Sequence, residues 1–300
     1  MNDIWIIATA SLVAISSALV GVFLILRRQA LMGDAISHSV LLGIVLAYLA
    51  TDSRSIAVML TGAVIVGLLT AWLSDALHKV GKLQSDASIG IVFTLFFAIG
   101  VILILLYAGQ IDLDQECVLY GEITFVPFDT IIWGSDAQGM SIGPRAFWAI
   151  GVVFLIVLIS IVVSFERLRT VTFHPSLAVS LGINVVVWHY FLMTLVSMTT
   201  VASFDAVGAI LVVALLVIPA SSAYLVTSSL KSMLWMAAAY GQTSVLIGYG
   251  IAFVLDSSIS ASIAVTAGLL LFATIVILEI NKKVFGKQIK ADLKTQLSAK

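Results

Sequence analysis

Apolar residues in this 300-residue chain come in long runs separated by short polar punctuation. The hydrocarbon core of a bilayer needs about 20 consecutive apolar residues per helix. The runs predict spans at Ile4–Leu26, Leu31–Ala50, Ile56–Leu77, Ser88–Tyr107, Ala146–Ser164, Val185–Thr200, Ala206–Ser228, Met233–Leu255 and Ala261–Ile280. Val185 to Ser228 is nearly continuous and its first member is short, so eight spans rather than nine would follow if part of it were re-entrant. The first run begins close to Met1, yet no basic segment precedes it, it is as long as a full span, and it ends at Arg27 and Arg28. Those features argue for a membrane span and against a cleaved signal peptide.

Basic residues, which concentrate in cytoplasmic loops, set the orientation. With nine spans and an outer N-terminus, only Arg54 and Arg145 of the 15 Lys and Arg fall outside, leaving 13 on the cytoplasmic side. The fold class expected is therefore an all-α, polytopic transmembrane bundle of eight to nine spans, with the N-terminus outside and the C-terminus cytoplasmic. Residues 1–281 form the membrane domain and 282–300 a basic cytoplasmic tail suited to anionic headgroups. The outer loop 108–145 is acidic, with Asp112, Asp114, Glu116, Glu122, Asp129 and Asp136. Its Val126-Pro127-Phe128 and Ile131-Ile132-Trp133 clusters fit an interfacial or lid segment, and a solvated connector is the alternative.

Composition narrows the function classes. At 61% hydrophobic, 10% charged and a mean hydropathy of +1.16, the chain is too apolar for a soluble domain. A net charge of −1 gives no basic surface for nucleic acid. Cys117 is the single cysteine, so there is neither an intrachain disulfide nor a thiolate cluster. Gly81-Lys82-Leu83 and Gly286-Lys287-Gln288 lack the remainder of a phosphate-binding loop, and no zinc-protease or nucleophile-elbow motif occurs. An intramembrane enzyme is therefore disfavoured, and ATP hydrolysis would need another chain.

Ionisable groups within apolar spans are costly and need a partner or a function. Asp34 and His38, in Gly33-Asp34-Ala35-Ile36-Ser37-His38, share one helix face at i, i+4 spacing. Asp205 sits at the junction of the sixth and seventh runs. A carboxylate and an imidazole make half a site for a hard or borderline divalent ion, and Asp205 could complete it from another helix. The alternative makes Asp34 a helix cap, His38 a satisfied core histidine and Asp205 the cap of the seventh run. Asp34 lies close to Arg27 and Arg28, whereas Asp205 lies toward the opposite face, so the two would meet only if helices were tilted, broken or re-entrant. Gly33 and Gly43 would tolerate such irregularity. Met193 and Met198 fit packing better than copper ligation.

The cytoplasmic segment 165–184 contains Thr172-Phe173-His174-Pro175-Ser176-Leu177-Ala178-Val179-Ser180-Leu181-Gly182. Pro175 is suited to start a short helix and Gly182 to end it. Such a helix would either dock in a partner's groove or lie at the interface, with His174 at the surface.

These motifs resemble the permeases of ABC importers for manganese, zinc and iron. The likeness is carried by Leu26-Arg27-Arg28-Gln29-Ala30-Leu31-Met32-Gly33-Asp34-Ala35-Ile36-Ser37-His38 and by Phe204-Asp205-Ala206-Val207-Gly208 with the following Leu211 to Ala220. Leu42 departs from the proline that many relatives place before the glycine at Gly43. Residues Leu113 to Glu122 resemble the manganese and iron branch more than the zinc branch.

The resemblance implies a multi-pass protein of the bacterial plasma membrane. It would pair with a second copy or a similar permease, bind two cytoplasmic ATPase subunits, and receive metal from an extracytoplasmic metal-binding protein. It also implies Asp34, His38 and Asp205 as metal-binding residues, and Phe173, Pro175, Leu177, Ala178, Leu181 and Gly182 as the ATPase-coupling segment. No permanently bound cofactor is expected, since Mn(II), Fe(II) or Zn(II) would be substrate. The rival function is a stand-alone secondary transporter or channel using the same Asp and His residues.

Overall fold

The computed structural model describes residues 2–52, 56–107, 123–133 and 140–298; side-chain surroundings are not described for residues 2, 56–57, 131–133, 140–142, 205 and 281–298. In lipid every backbone polar group must be satisfied within its own segment, which leaves helices as the outcome for long apolar runs. The helices are α1 (Asn2–Leu26), α2 (Ala30–Thr51), α3 (Ile56–Gly81), α4 (Ser85–Tyr107), α5 (Arg145–Phe173), α6 (Pro175–Ser180), α7 (Val185–Val207), α8 (Ala209–Val226), α9 (Leu230–Leu255) and α10 (Ile259–Ser298). All except α6 contain a stretch long and apolar enough to cross a membrane, nine among the described residues. Residues of the basic tail up to Ser298 continue α10 as helix.

The ambiguous stretch resolves at Gly208. Its backbone, at φ 79° and ψ 162°, is open to glycine and strained for other residues. Helix α7 therefore runs past the expected end at Thr200 to Val207, and α8 starts afresh. Asp205 lies within α7, and the residue that caps α8 is Gly208. Asp34 is not a cap either, since α2 begins at Ala30 with Gln29 at its N-cap position. No break occurs near Leu42. Helix α2 is continuous, and Gly43 serves a close crossing instead, its Cα facing the backbone of Gly62 and Ala63 on α3.

Helix α1 forms the centre of the bundle, with Ala18, Val20, Val22, Phe23 and Leu24 wholly buried. Gly21 lets it approach the Leu216 carbonyl of α8. Helices α4 and α5 keep large apolar side chains outward, among them Ile102, Leu105, Leu155, Ile159 and Val163. Such surface suits lipid tails.

One end of the bundle carries the basic connectors. At the other end, the described part of the acidic loop is folded. A 3-10 helix, Ile123–Phe128, buries Ile123 and Val126 in a cluster with Ile6 and Ala10 of α1. It leads to an antiparallel pair, β1 (Thr130–Trp133) and β2 (Met140–Pro144). An Arg145–Asp129 ion pair of 3.9 Å closes the base of this hairpin. The described portion is thus a packed cap on the bundle. Asp112, Asp114, Glu116, Cys117, Glu122 and Asp136 lie outside the described residues.

Candidate metal-ion site

Asp34 and His38 meet on one face of α2. The carboxylate Oδ1 lies 3.4 Å from His38 Nε2, with the Asp34 side chain 37% and the His38 side chain 31% exposed. Helix α4 holds the imidazole: the ring of Phe93 stacks on it at 5.8 Å and that of Phe97 meets it edge-on at 5.7 Å. Behind the pair, Gly33 faces the Leu216 side chain, so α2 sits close against α8 at its first turn. The imidazole is held by α4, and the two donors are adjacent and accessible. Because both side chains are partly open, other coordination positions are free for water or for groups from another chain.

Asp205 is placed differently. It is in the last turn of α7, and its side chain lies outside the described residues. Ile36 of α2 and Ser197 of α7 converge on Gly67 of α3, which sets Asp34 level with the neighbourhood of Leu195. The Asp205 backbone is then about 15 Å of helical rise farther along the bundle. Both α2 and α7 are unbroken helices, so the irregularity expected to bring these residues together is absent from them. Among the described residues no three His, Cys, Asp or Glu side chains gather as a complete metal shell.

A second ionisable pair was not singled out from the sequence. Asp75 of α3 and His189 of α7 lie 3.0 Å apart, with side chains 17% and 15% exposed. The rule that drew attention to Asp34, an ionisable group inside an apolar run, applies equally to both, since Asp75 falls within the third run and His189 within the sixth. Their pairing depends on how α3 and α7 pack. Along the same seam Ser39 and Thr70 join α2 to α3 through hydroxyls 2.8 Å apart, and Ser74, Ser197 and Thr200 carry buried hydroxyls without partners.

Between α1 and α2, outside the spans, Arg27 is buried enough for desolvation to lower its pKa from the usual guanidinium value to about 10, which leaves it charged at neutral pH. Its Nε donates to Thr172 Oγ1 at 3.2 Å, near the end of α5. Immediately beyond, Pro175 occupies the first turn of α6 and Gly182 adopts φ 76° after it, as the sequence predicts. The Asn184 side chain then accepts from the N–H groups of Val186 and Val187 to start α7. Phe173, Leu177 and Leu181 are exposed, at 47%, 51% and 63%, whereas Ala178 is fully buried and turned toward the bundle.

A model of the ABC 3 transport family matches residues 3–278. The chain belongs to that family. It is 47% identical over 266 residues to the manganese transport system membrane protein MntD of Bacillus subtilis, covering 89% of this chain and 88% of that protein. Identity to the zinc transport system membrane protein TroD of Treponema pallidum is 40% over 265 residues, covering 88% and 71% of the two chains. Among solved structures, PsaBC from Streptococcus pneumoniae in complex with Fab superposes with a TM-score of 0.73 at 31% identity, covering 90% of this chain and 89% of that one. The protein is therefore a multi-pass membrane transport subunit rather than a catalytic one. Membership of an ABC transport family implies ATPase and substrate-binding partners.

Proposed function

We propose that this chain is the membrane-spanning permease of an ATP-driven importer for a divalent transition-metal ion, with Mn(II) the foremost substrate and Fe(II) and Zn(II) next. The observation that carries this is the adjacent, partly exposed Asp34–His38 pair on a transmembrane helix of an ABC 3 family member. A carboxylate and an imidazole without thiolate fit Mn(II) and Fe(II) and also accommodate Zn(II). The 47% identity to a manganese system protein favours manganese.

In this proposal the basic end of the bundle faces the cytoplasm of a bacterium and the capped end faces out. An extracytoplasmic binding protein delivers the ion at the capped end. The ion sheds part of its water shell and binds Asp34 and His38, with Asp205 lining the outer part of the path. A second permease copy, or a similar permease, supplies the facing wall, which accounts for the accessibility of the pair. The exposed face around Phe173, Leu177 and Leu181 docks on the ATPase, with Pro175 and Gly182 setting the ends of the docking helix and Ala178 anchoring it to the bundle. The basic tail lies at anionic headgroups. An ion shifts a conformational equilibrium only by its differential affinity, so uphill import draws on ATP binding and hydrolysis by the partner to alternate access between the two faces.

The test is uptake of Mn(II), Fe(II) and Zn(II) into vesicles containing the permease reconstituted with its ATPase and binding protein. ATP-dependent accumulation with Mn(II) preferred is expected. Equal uptake by the chain alone, driven by an ion gradient without ATPase, would overturn the proposal in favour of a secondary transporter or channel.

A further inference from the structure

We propose that Asp75, His189 and Gln29 form a second, inner binding station for the transported divalent cation, between the Asp34–His38 pair and the basic end of the bundle; this rests on the import function proposed above. An ion pair between two membrane helices is expensive to bury unless it is compensated or used. Asp75 and His189 come from α3 and α7 and are both more than four-fifths buried. His189 Nε2 is shielded from solvent and lies 3.0 Å from the Asp75 carboxylate, yet off the line of a hydrogen bond. Gln29, just ahead of α2, has a buried Oε1 with no partner. All three line one cavity of about 330 Å³ at the basic end.

The chemistry of this set fits the cargo. One imidazole nitrogen, one carboxylate oxygen and one amide oxygen are the borderline-to-hard donors that Mn(II), Fe(II) and Zn(II) accept, and no thiolate is present to trap the ion. Two metal–ligand bonds of about 2.1 Å at right angles put their donor atoms about 3.0 Å apart. That matches the Asp75–His189 separation. The cavity leaves room for water in the remaining positions.

Position and charge suit release. His189 lies about six residues, or about 9 Å of rise, from the level of Asp34, toward the basic connectors. Arg27 and Lys79 line the same cavity, and Lys79 Nζ is 3.8 Å from Asp75 Oδ2. These cations lower the affinity for a third, as a station that must pass its ion onward requires.

The test uses the purified full-length chain titrated with Mn(II), the bound ion counted by loss of the free hexaaqua paramagnetic resonance signal and nitrogen coupling recorded by pulsed measurement. Two bound ions are expected, the weaker lost in Asp75→Asn and in His189→Gln. In a His38→Ala background imidazole coupling should persist, and adding His189→Gln should remove it. Lys79→Met, which leaves all three donor residues in place and removes the cation 3.8 Å from Asp75 Oδ2, should tighten the weaker site severalfold, whereas a purely structural Asp75–His189 pair would give no Mn(II) site to tighten. Wild-type stoichiometry and affinity in Asp75→Asn, His189→Gln and Lys79→Met, with the expected loss in Asp34→Ala, would overturn the inner station and leave the import function standing. If Asp34→Ala and His38→Ala also bind like wild type, or if the wild-type chain binds no Mn(II), the metal-site proposal itself fails.

Discussion

A methyl group added at Gly43 would lie 2.6 Å from both Ala63 Cα and the Gly62 oxygen, where α2 crosses α3. Those neighbours are backbone, so no side chain can rotate away. Ordinary carbon contacts need about 3.5–4.0 Å, and the two helices would have to separate by about 1 Å. Overpacking of this kind costs about 1–3 kcal/mol. The gain in helix propensity from Gly to Ala opposes it by about 0.8–1.0 kcal/mol. Gly90 of α4, which has no atom within 4 Å of an added methyl, isolates that gain. The difference between Gly43→Ala and Gly90→Ala should therefore equal the overpacking cost. At about 2–4 °C per kcal/mol, Gly43→Ala should melt roughly 2–12 °C below Gly90→Ala when both are unfolded thermally in the same detergent. Equal or higher thermal stability for Gly43→Ala would refute the claim that α2 and α3 are in backbone contact. Because α2 carries Asp34 and His38, the same separation should also impair metal uptake.

Other consequences are open to measurement. Asp34→Ala and His38→Ala should each abolish metal-dependent growth rescue while the protein remains inserted, and wild-type rescue by both would make the pair structural. Removing the ring stacked on His38, by Phe93→Ala, should forfeit about 0.5–1.5 kcal/mol of positioning, and weaken Mn(II) binding about two- to twelvefold; unchanged affinity would mean that α4 does not orient the imidazole. Leu177→Asp and Leu181→Asp place charge on the exposed face of the α6 segment, and should release the ATPase from the purified complex with no loss of thermal stability. Co-purification at wild-type yield would show that docking lies elsewhere.

The spans were legible because hydrocarbon forces each crossing segment to satisfy its own backbone, making length and hydropathy local properties. All nine spanning helices begin within three residues of the expected positions, and α8 starts three residues late, at Ala209, because α7 continues to Val207. The Gly33-Asp34-Ala35-Ile36-Ser37-His38 motif was legible for a similar reason: i, i+4 spacing along one helix needs no tertiary information. The sequence also placed the Pro175 start and Gly182 end of the short helix, where proline and glycine act on their own backbones.

Tertiary structure alone decided the rest. Whether Gly208 or the Asp205 region divides the long apolar stretch depended on a backbone conformation that flanking composition does not specify. Gly43 proved to serve a helix crossing rather than a break, a fact about the opposing backbone of α3. Asp34 and His38 needed α4 to show how the imidazole is held, and Asp75 and His189 needed the register of α3 against α7 to become a pair. Sequence fixes which residues are costly to bury, because that cost belongs to each side chain; which of them share it is settled only by helices packing over distances the chain order does not encode.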